Sequence, residues 1–405
     1  MMALQSARIG TVTLRNRIIR SATYEGRCDE LGFPGESYRD LYAELARNNV
    51  GAMITGFTYI TPSGRAMQPR QAGIESESKI RFYRDVTGQV HGYHGRIFMQ
   101  LAHAGRQTSR QATHEQVAGA SRMRSRYFNS KPRSLETREV LLIVEQFARA
   151  GAFAMKAGFD GIQLHAAHGY LIHQFLSRAI NTRNDIFGID RQTQLGTRFL
   201  DLIIDGVRQA CGPCYPILVK ISGGEDERRD NSEARLMRLI AFLNAKKVDA
   251  IEISYGTMER PLNIFRGTSV PLDAVLRCNP RYRVRGALRR SLWRTLAAPL
   301  VLARTRPFTP TYNLHYAEAA KRNSEIPIIS VGGFRSGAEI ESALANGKAD
   351  FIGLCRPLLC EPDFVRRLEE NNSYVSRCIS CNTCAVFCDT RYPTRCHTGE
   401  AIHEY

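Results

Sequence analysis

The chain has 405 residues, 43% of them hydrophobic and 23% charged, which excludes a disordered or fibrous protein. Its formal charge is +17, carried by 56 basic residues of which eight are lysine; most of the arginines are scattered, so charge alone does not imply a nucleic-acid partner. No apolar run reaches the ~18 residues of a membrane span, and Met1 to Arg20 lacks the apolar core of a signal peptide, so a cytoplasmic protein is expected.

In chain order, short apolar runs alternate with helical stretches. Strands are expected at Arg17–Ser21, Gly51–Thr55, Ile97–Leu101, Gly161–His165, Pro216–Ile221, Ala250–Ser254, Pro327–Val331 and Phe351–Leu354. Helices are expected at Ser37–Arg47, Lys79–Val90, Thr137–Ala157, Gln192–Ala210, Asn231–Ala245, Tyr312–Arg322, Ser336–Ala345 and Asp363–Glu369. The clearest is the third, where Val140, Val144, Phe147, Gly151 and Ala154 fall on one face. Eight strands, each followed by a helix, is the arithmetic of a (β/α)8 TIM barrel; an open doubly wound sheet is the alternative. Residues 102–134, after the third strand, and 255–311, after the sixth, are long insertions. The expected organisation is a barrel over residues 1–370 and a Cys-rich tail over 371–405.

Strands of a parallel barrel are covered on both faces and read as apolar throughout. Here Gln100, Gln163 with His165, Lys220, and Glu252 with Ser254 fall on the faces opposite the helix-facing residues. Four strands thus turn polar inward toward their C-terminal ends. A polar ligand at the mouth is the simplest account, and an interior layer of mutually satisfied groups is the other.

Several segments carry chemistry. The run from His165 to His173 leaves the fourth strand with His165 and His168 three residues apart, two donors for one carbonyl or carboxylate oxygen. Tyr170 follows as a general acid. A metal site there would need a carboxylate, and the run contains none. After the seventh strand come Gly332 and Gly333, and after the eighth Cys355 and Arg356. Loops in these places commonly form the phosphate site of barrel enzymes, with glycine admitting backbone amides and arginine adding a bidentate contact. Met99 to Arg106 and Leu14 to Tyr24 are polar strand ends. Arg277 to Arg306 holds nine arginines and no acid, with leucines and Trp293 interleaved. That suits a helical lid with arginine outward, or a face for a membrane, an acidic partner or a phosphate-bearing substrate. The tail carries Cys378, Cys381, Cys384, Cys388 and Cys396, a spacing open to an iron–sulfur cluster, a zinc knuckle or free thiols.

Leu14-Arg15-Asn16-Arg17, Gln100-Leu101-x-His103-x-Gly105-Arg106, His165-x-x-His168-Gly169-Tyr170-Leu171 and Arg356-Pro357-Leu358, in this order over residues 8 to about 370, resemble the old yellow enzyme family of FMN-dependent oxidoreductases. The resemblance implies a barrel with FMN at its C-terminal mouth and hydride transfer from NAD(P)H to an activated alkene, an enone, enoate or enoyl thioester. It places Ala22, Thr23 and Gly56 against the flavin ring, Gln100 at its pyrimidine edge and Lys220 near N1 and O2. Gly332, Gly333, Cys355 and Arg356 would hold the phosphate. His165 and His168 would grip the substrate oxygen, with Tyr170 as proton donor. Tyr24 stands where some members carry a cysteine beside the flavin. The tail resembles that of dienoyl-CoA-reductase-like members, which implies a 4Fe–4S cluster on Cys378, Cys381, Cys384 and Cys396; zinc is the alternative. No FAD/NAD domain is expected within the chain. A homo-oligomer and a redox-protein donor are further expectations. The competing readings are a tRNA-dihydrouridine-synthase-like enzyme, whose family lacks the His-x-x-His-Gly-Tyr segment, and an electron-transfer subunit fed by a ferredoxin.

Overall fold

The computed structural model describes residues 1–226 and 232–400. Eight parallel strands close on themselves: β1 (Ile18–Arg20), β2 (Ala52–Ile54), β3 (Ile97–Ala102), β4 (Gly161–Ala166), β5 (Ile217–Ser222), β6 (Ala250–Ser254), β7 (Ile328–Val331) and β8 (Phe351–Leu354). Each pairs with the next, and β8 returns to β1 through Gly353 opposite Ile19, which rules out the open sheet. The helices around it are α1 (Glu36–Arg47), α2 (Ile80–Gly92), α3 (Thr137–Lys156), α4 (Arg198–Cys211), α5 (Ser232–Ala245), α6 (Leu314–Arg322), α7 (Gly337–Ala345) and α8 (Phe364–Glu370). This is the (β/α)8 barrel that the alternation implies.

Local chemistry sets the helix ends. α3 opens with a reciprocal cap in which Glu139 accepts from the Glu136 amide at 2.8 Å. α7 opens the same way, with Ser336 accepting from the Glu339 amide at 3.2 Å. α4 starts six residues later than the periodicity suggests. Asp190 accepts from the amides of Gln192 (3.1 Å) and Thr193 (2.7 Å), which holds that stretch in a turn. The expected start of α5, Asn231, lies outside the described residues, as do residues 401–405 of the tail.

The barrel interior has two layers. An antiparallel hairpin, Ala7–Ile9 with Val12–Leu14, plugs its N-terminal end. Ile9 and Leu14 pack there with Ile19, Ala52, Ile54, Phe98, Leu218, Ala250, Ile329 and Phe351. Above lies a polar ring. Gln100 donates to Gln163 (2.6 Å), Gln163 donates to Glu252 (2.6 Å), and Lys220 reaches both Glu252 and Ser21 at 3.1 Å. Sequence parity assigns these groups to a ligand; in the fold they satisfy one another first. Each lost partner would cost about 1–3 kcal/mol. Outward-facing Ile162, Leu164, Val219, Ile221, Ile251 and Ile253 join the larger core under the helices.

The tail does not stand apart. Ser376 donates its amide to the Arg335 carbonyl (2.7 Å), and Thr394 donates its amide to the Glu25 carbonyl (2.8 Å). Asp389 accepts from Gln68 and from Asn279, both at 3.1 Å. Residues 371–400 therefore fold across the C-terminal mouth and lock onto the insertion after β6.

Candidate active site

A cavity of about 2250 Å³ opens at that mouth. Ala22, Thr23, Gln100, His165, His168, Tyr170, Lys220, Gly332, Gly333, Cys355 and Arg356 all border it. Gly56 does not. It sits one layer behind, its amide donating to Glu25 at 2.6 Å, and a Cβ there would lie 2.3 Å from the Glu25 carboxylate.

The turn after β4 builds the acid–base group. His168 adopts a left-handed backbone (φ 62°), followed by Gly169 (φ 79°), and this folds the chain back over the strand end. The His168 amide donates to Ser222 (3.2 Å), and its Nε2 lies 2.8 Å from the Ser254 hydroxyl. The rings of His165 and His168 are 5.0 Å apart and perpendicular. Tyr170 lies 4.8 Å from His165 and stacks on Phe57 at 5.4 Å. Burial, then Lys220, holds His165 well below the usual imidazole range. Burial, then His165 and Lys220, does the same to His168. Burial, followed by Asp389 and Cys388, pushes the Tyr170 phenol up, so it keeps its proton. Among the described residues the buried Nδ1 of His165 has no hydrogen-bond partner. A buried, unsatisfied ring nitrogen in a residue that borders a cavity calls for an explanation, and a ligand is one.

His173 supports this turn from below. Its Nδ1 accepts from the Gly169 amide (2.9 Å), which leaves Nε2–H to donate to Glu225 (2.8 Å). Arg235 meets the same carboxylate at 2.7 Å. Burial raises the Glu225 carboxyl, but Arg235 and His173 outweigh it and bring the pKa to about 2.

On the opposite wall Gly332 (φ 133°) and Gly333 (φ 86°) take backbone conformations closed to side chains. A Cβ at Gly332 would lie 2.7 Å from Tyr312 and Asn313. Arg356 is held by the tail, donating to Asn382 at 2.6 Å. The residues on this wall suit a phosphate, and Gln100 and Lys220 present polar edges between it and the histidines. The set fits FMN.

Sequence reasoning misses four groups. Glu25 and Tyr42 form a buried hydrogen bond behind Thr23. Asp226 ties the insertion down through Arg306 (2.9 Å). Glu225 anchors His173. Asp389 reaches the cavity from the tail, beside the Cys388 already singled out. The only sequence signal was acid placement at strand ends. Nothing local reveals that residue 389 faces a cavity built some 200 positions earlier.

The tail thiols gather near one another. Cys378 and Cys381 lie within electrostatic reach of Cys384, Cys396 of Cys378, and Cys360 pairs with Cys396. Among the described residues no three His, Cys, Asp or Glu side chains are arranged to hold a metal ion. No helix among them is long and apolar enough to cross a membrane.

Residues 5–270 and 295–374 match the NADH:flavin oxidoreductase / NADH oxidase family. The chain is 29% identical over 378 residues to an NADH oxidase of Thermoanaerobacter brockii, covering 93% of this chain and 52% of that protein. It thus spans about half the length of that relative. An NADPH dehydrogenase of Bacillus velezensis is 27% identical, over 88% of this chain and 90% of its own. The structure of morphinone reductase shares the fold, with a TM-score of 0.71 at 20% identity over 93% of this chain and 91% of that one. The chain therefore belongs to the NADH:flavin oxidoreductase / NADH oxidase family, that of the old yellow enzymes.

Proposed function

We propose that the protein reduces the carbon–carbon double bond of an alkene conjugated to a carbonyl, with NAD(P)H as reductant. One observation carries this reading: the unpartnered Nδ1 of neutral His165, beside His168 and the protonated Tyr170, all on one cavity wall. FMN, when bound, supplies hydride to the β-carbon. The substrate carbonyl oxygen then gains negative charge, and imidazole donors already aimed at it stabilise that charge without reorganising. Neutral histidines are suited to this, since they donate without adding a further fixed cation to the buried site. Tyr170 holds the proton that the α-carbon receives. Phe57 fixes the phenol ring by stacking. Lys220 and Gln100 would orient the flavin's pyrimidine side, and Gly332, Gly333, Cys355 and Arg356 its phosphate.

The reading is tested by heat release of the cofactor from anaerobically purified protein, with metal analysis of the same sample. FMN is expected. FAD, or no flavin after reconstitution, overturns the assignment of the phosphate wall. About four irons per chain would assign Cys378, Cys381, Cys384 and Cys396 to a 4Fe–4S cluster, and stoichiometric zinc would assign them to that metal.

His165→Ala and His168→Ala are each expected to weaken binding of a phenol about 10- to 100-fold, because a phenolate mimics the charged oxygen and each lost charge-assisted bond removes about 1.5–3 kcal/mol. Titration of the bound flavin's absorbance with a substituted phenol checks this. Unchanged affinity in both variants removes the histidines from the oxygen site.

A further inference from the structure

The segment from Arg277 to Arg306 includes an element outside the family match, which breaks between residues 270 and 295. A helix over Ala287–Leu296, followed by Ala298–Leu302, crosses the rim of the mouth. The first of these helices has no buried residue. Leu288, Leu292, Leu296 and Leu300 are 77%, 53%, 69% and 71% exposed. The spacing of four puts Leu288, Leu292 and Leu296 along one face of the first helix, and Leu300 lies on the second. Trp293 and Ala297 are half-buried, and Trp293 borders the cavity. The helix therefore packs inward through Trp293 and leaves its leucines in water.

Charge decides what covers those leucines. Nine arginines and no acid lie between Arg277 and Arg306. Arg294 is used within the chain, by Asp273. Arg285 and Arg289 are exposed and have no ion-pair partner among the described residues. A second copy would set this cationic face against itself, which like charges oppose. An anionic lipid surface offers both what the leucines and what the arginines lack. An apolar stripe, cations beside it and low overall hydrophobicity are the marks of a helix lying in a membrane interface.

We propose that Ala287–Leu302 is an interfacial docking surface for an anionic lipid bilayer, with Leu288, Leu292, Leu296 and Leu300 in the acyl boundary and Arg285 and Arg289 among the headgroups. Leu300 and Val301 also border the cavity, so docking turns the mouth toward the bilayer. The proposal does not depend on the flavin chemistry.

Flotation of the purified holoprotein with phosphatidylcholine vesicles, alone or mixed equally with phosphatidylglycerol, tests it. The protein is expected to float with the mixed vesicles and not with the neutral ones. Leu292→Ser/Leu296→Ser and Arg285→Glu/Arg289→Glu should each lower the bound fraction at least tenfold. Neither pair is buried, so the thermal midpoint should not move. Absence of flotation overturns the proposal, as does flotation that both variants retain. If sedimentation velocity shows a dimer that the leucine variant loses, with no flotation, the face belongs to a second copy. If the protein binds polyglutamate but not vesicles, the face belongs to an acidic polypeptide.

Discussion

Tyr170→Phe is expected to slow the half-reaction with an enone by about 10²- to 10⁴-fold, the usual contribution of a positioned general acid, and to leave reduction by NAD(P)H unchanged. The phenol faces the cavity beside His165, and burial keeps it protonated at neutral pH. Removing its oxygen leaves the ring's stacking on Phe57 in place. The defect should therefore be confined to the step that consumes a proton. Rapid mixing that follows each half-reaction separately makes the measurement. Equal loss in both halves would make Tyr170 a packing residue and take the proton donor away from the proposed chemistry.

Glu225→Gln is expected to destabilise the fold by about 3–5 kcal/mol, since it leaves Arg235 and His173 around a buried site with no charge to meet. Its carboxylate is 4% exposed and lies 2.7 Å from Arg235 and 2.8 Å from His173. The pH dependence has a definite sign. The folded pKa of about 2 lies below the usual carboxylate value of about 4.3, so the folded state favours the charged form. The stabilisation is fully present above about pH 5 and is lost as pH falls toward 2. Guanidinium unfolding of the two proteins across this range should show a constant difference above pH 5 that shrinks on acidification. A difference that grows instead would mean that the carboxyl is protonated in the fold. The substitution should also lower enone turnover, because His173 holds the Gly169 amide and with it the turn that presents His168 and Tyr170.

The barrel is legible in the sequence because its two periods differ. Strands such as Ile217–Ser222 are buried on both faces, while α3 repeats its apolar face every three to four residues. His165, His168 and Tyr170 are legible because the rule that barrel chemistry sits at strand C-termini turns a position in sequence into a position in space. Gly56 shows the limit of that rule. It follows β2 by two residues, yet Glu25 from the neighbouring loop takes its amide away from the cavity. The polar ring is half legible: parity finds Gln163 and Glu252 on inward faces, but only the closed barrel brings Gln163 to Glu252. Asp389 and Asn382 are not legible at all. Their roles depend on how the tail packs against Asn279 and Arg356, contacts that no local pattern encodes.

The pairing of Lys220 with Glu252 changes what the barrel offers a molecule bound above it. An isolated ammonium projects a monopole, whose potential falls with the first power of distance. An ammonium 3.1 Å from a carboxylate projects a dipole, whose potential falls with the square and changes sign with direction. The floor of the cavity thus has little long-range pull on anions in solution. It acts on a group only at contact, and there it discriminates by position: a hydrogen-bond acceptor placed at Lys220, which borders the cavity, is favoured, while Glu252 behind it is fully buried and touches nothing bound above. The ring selects a pose rather than a charge.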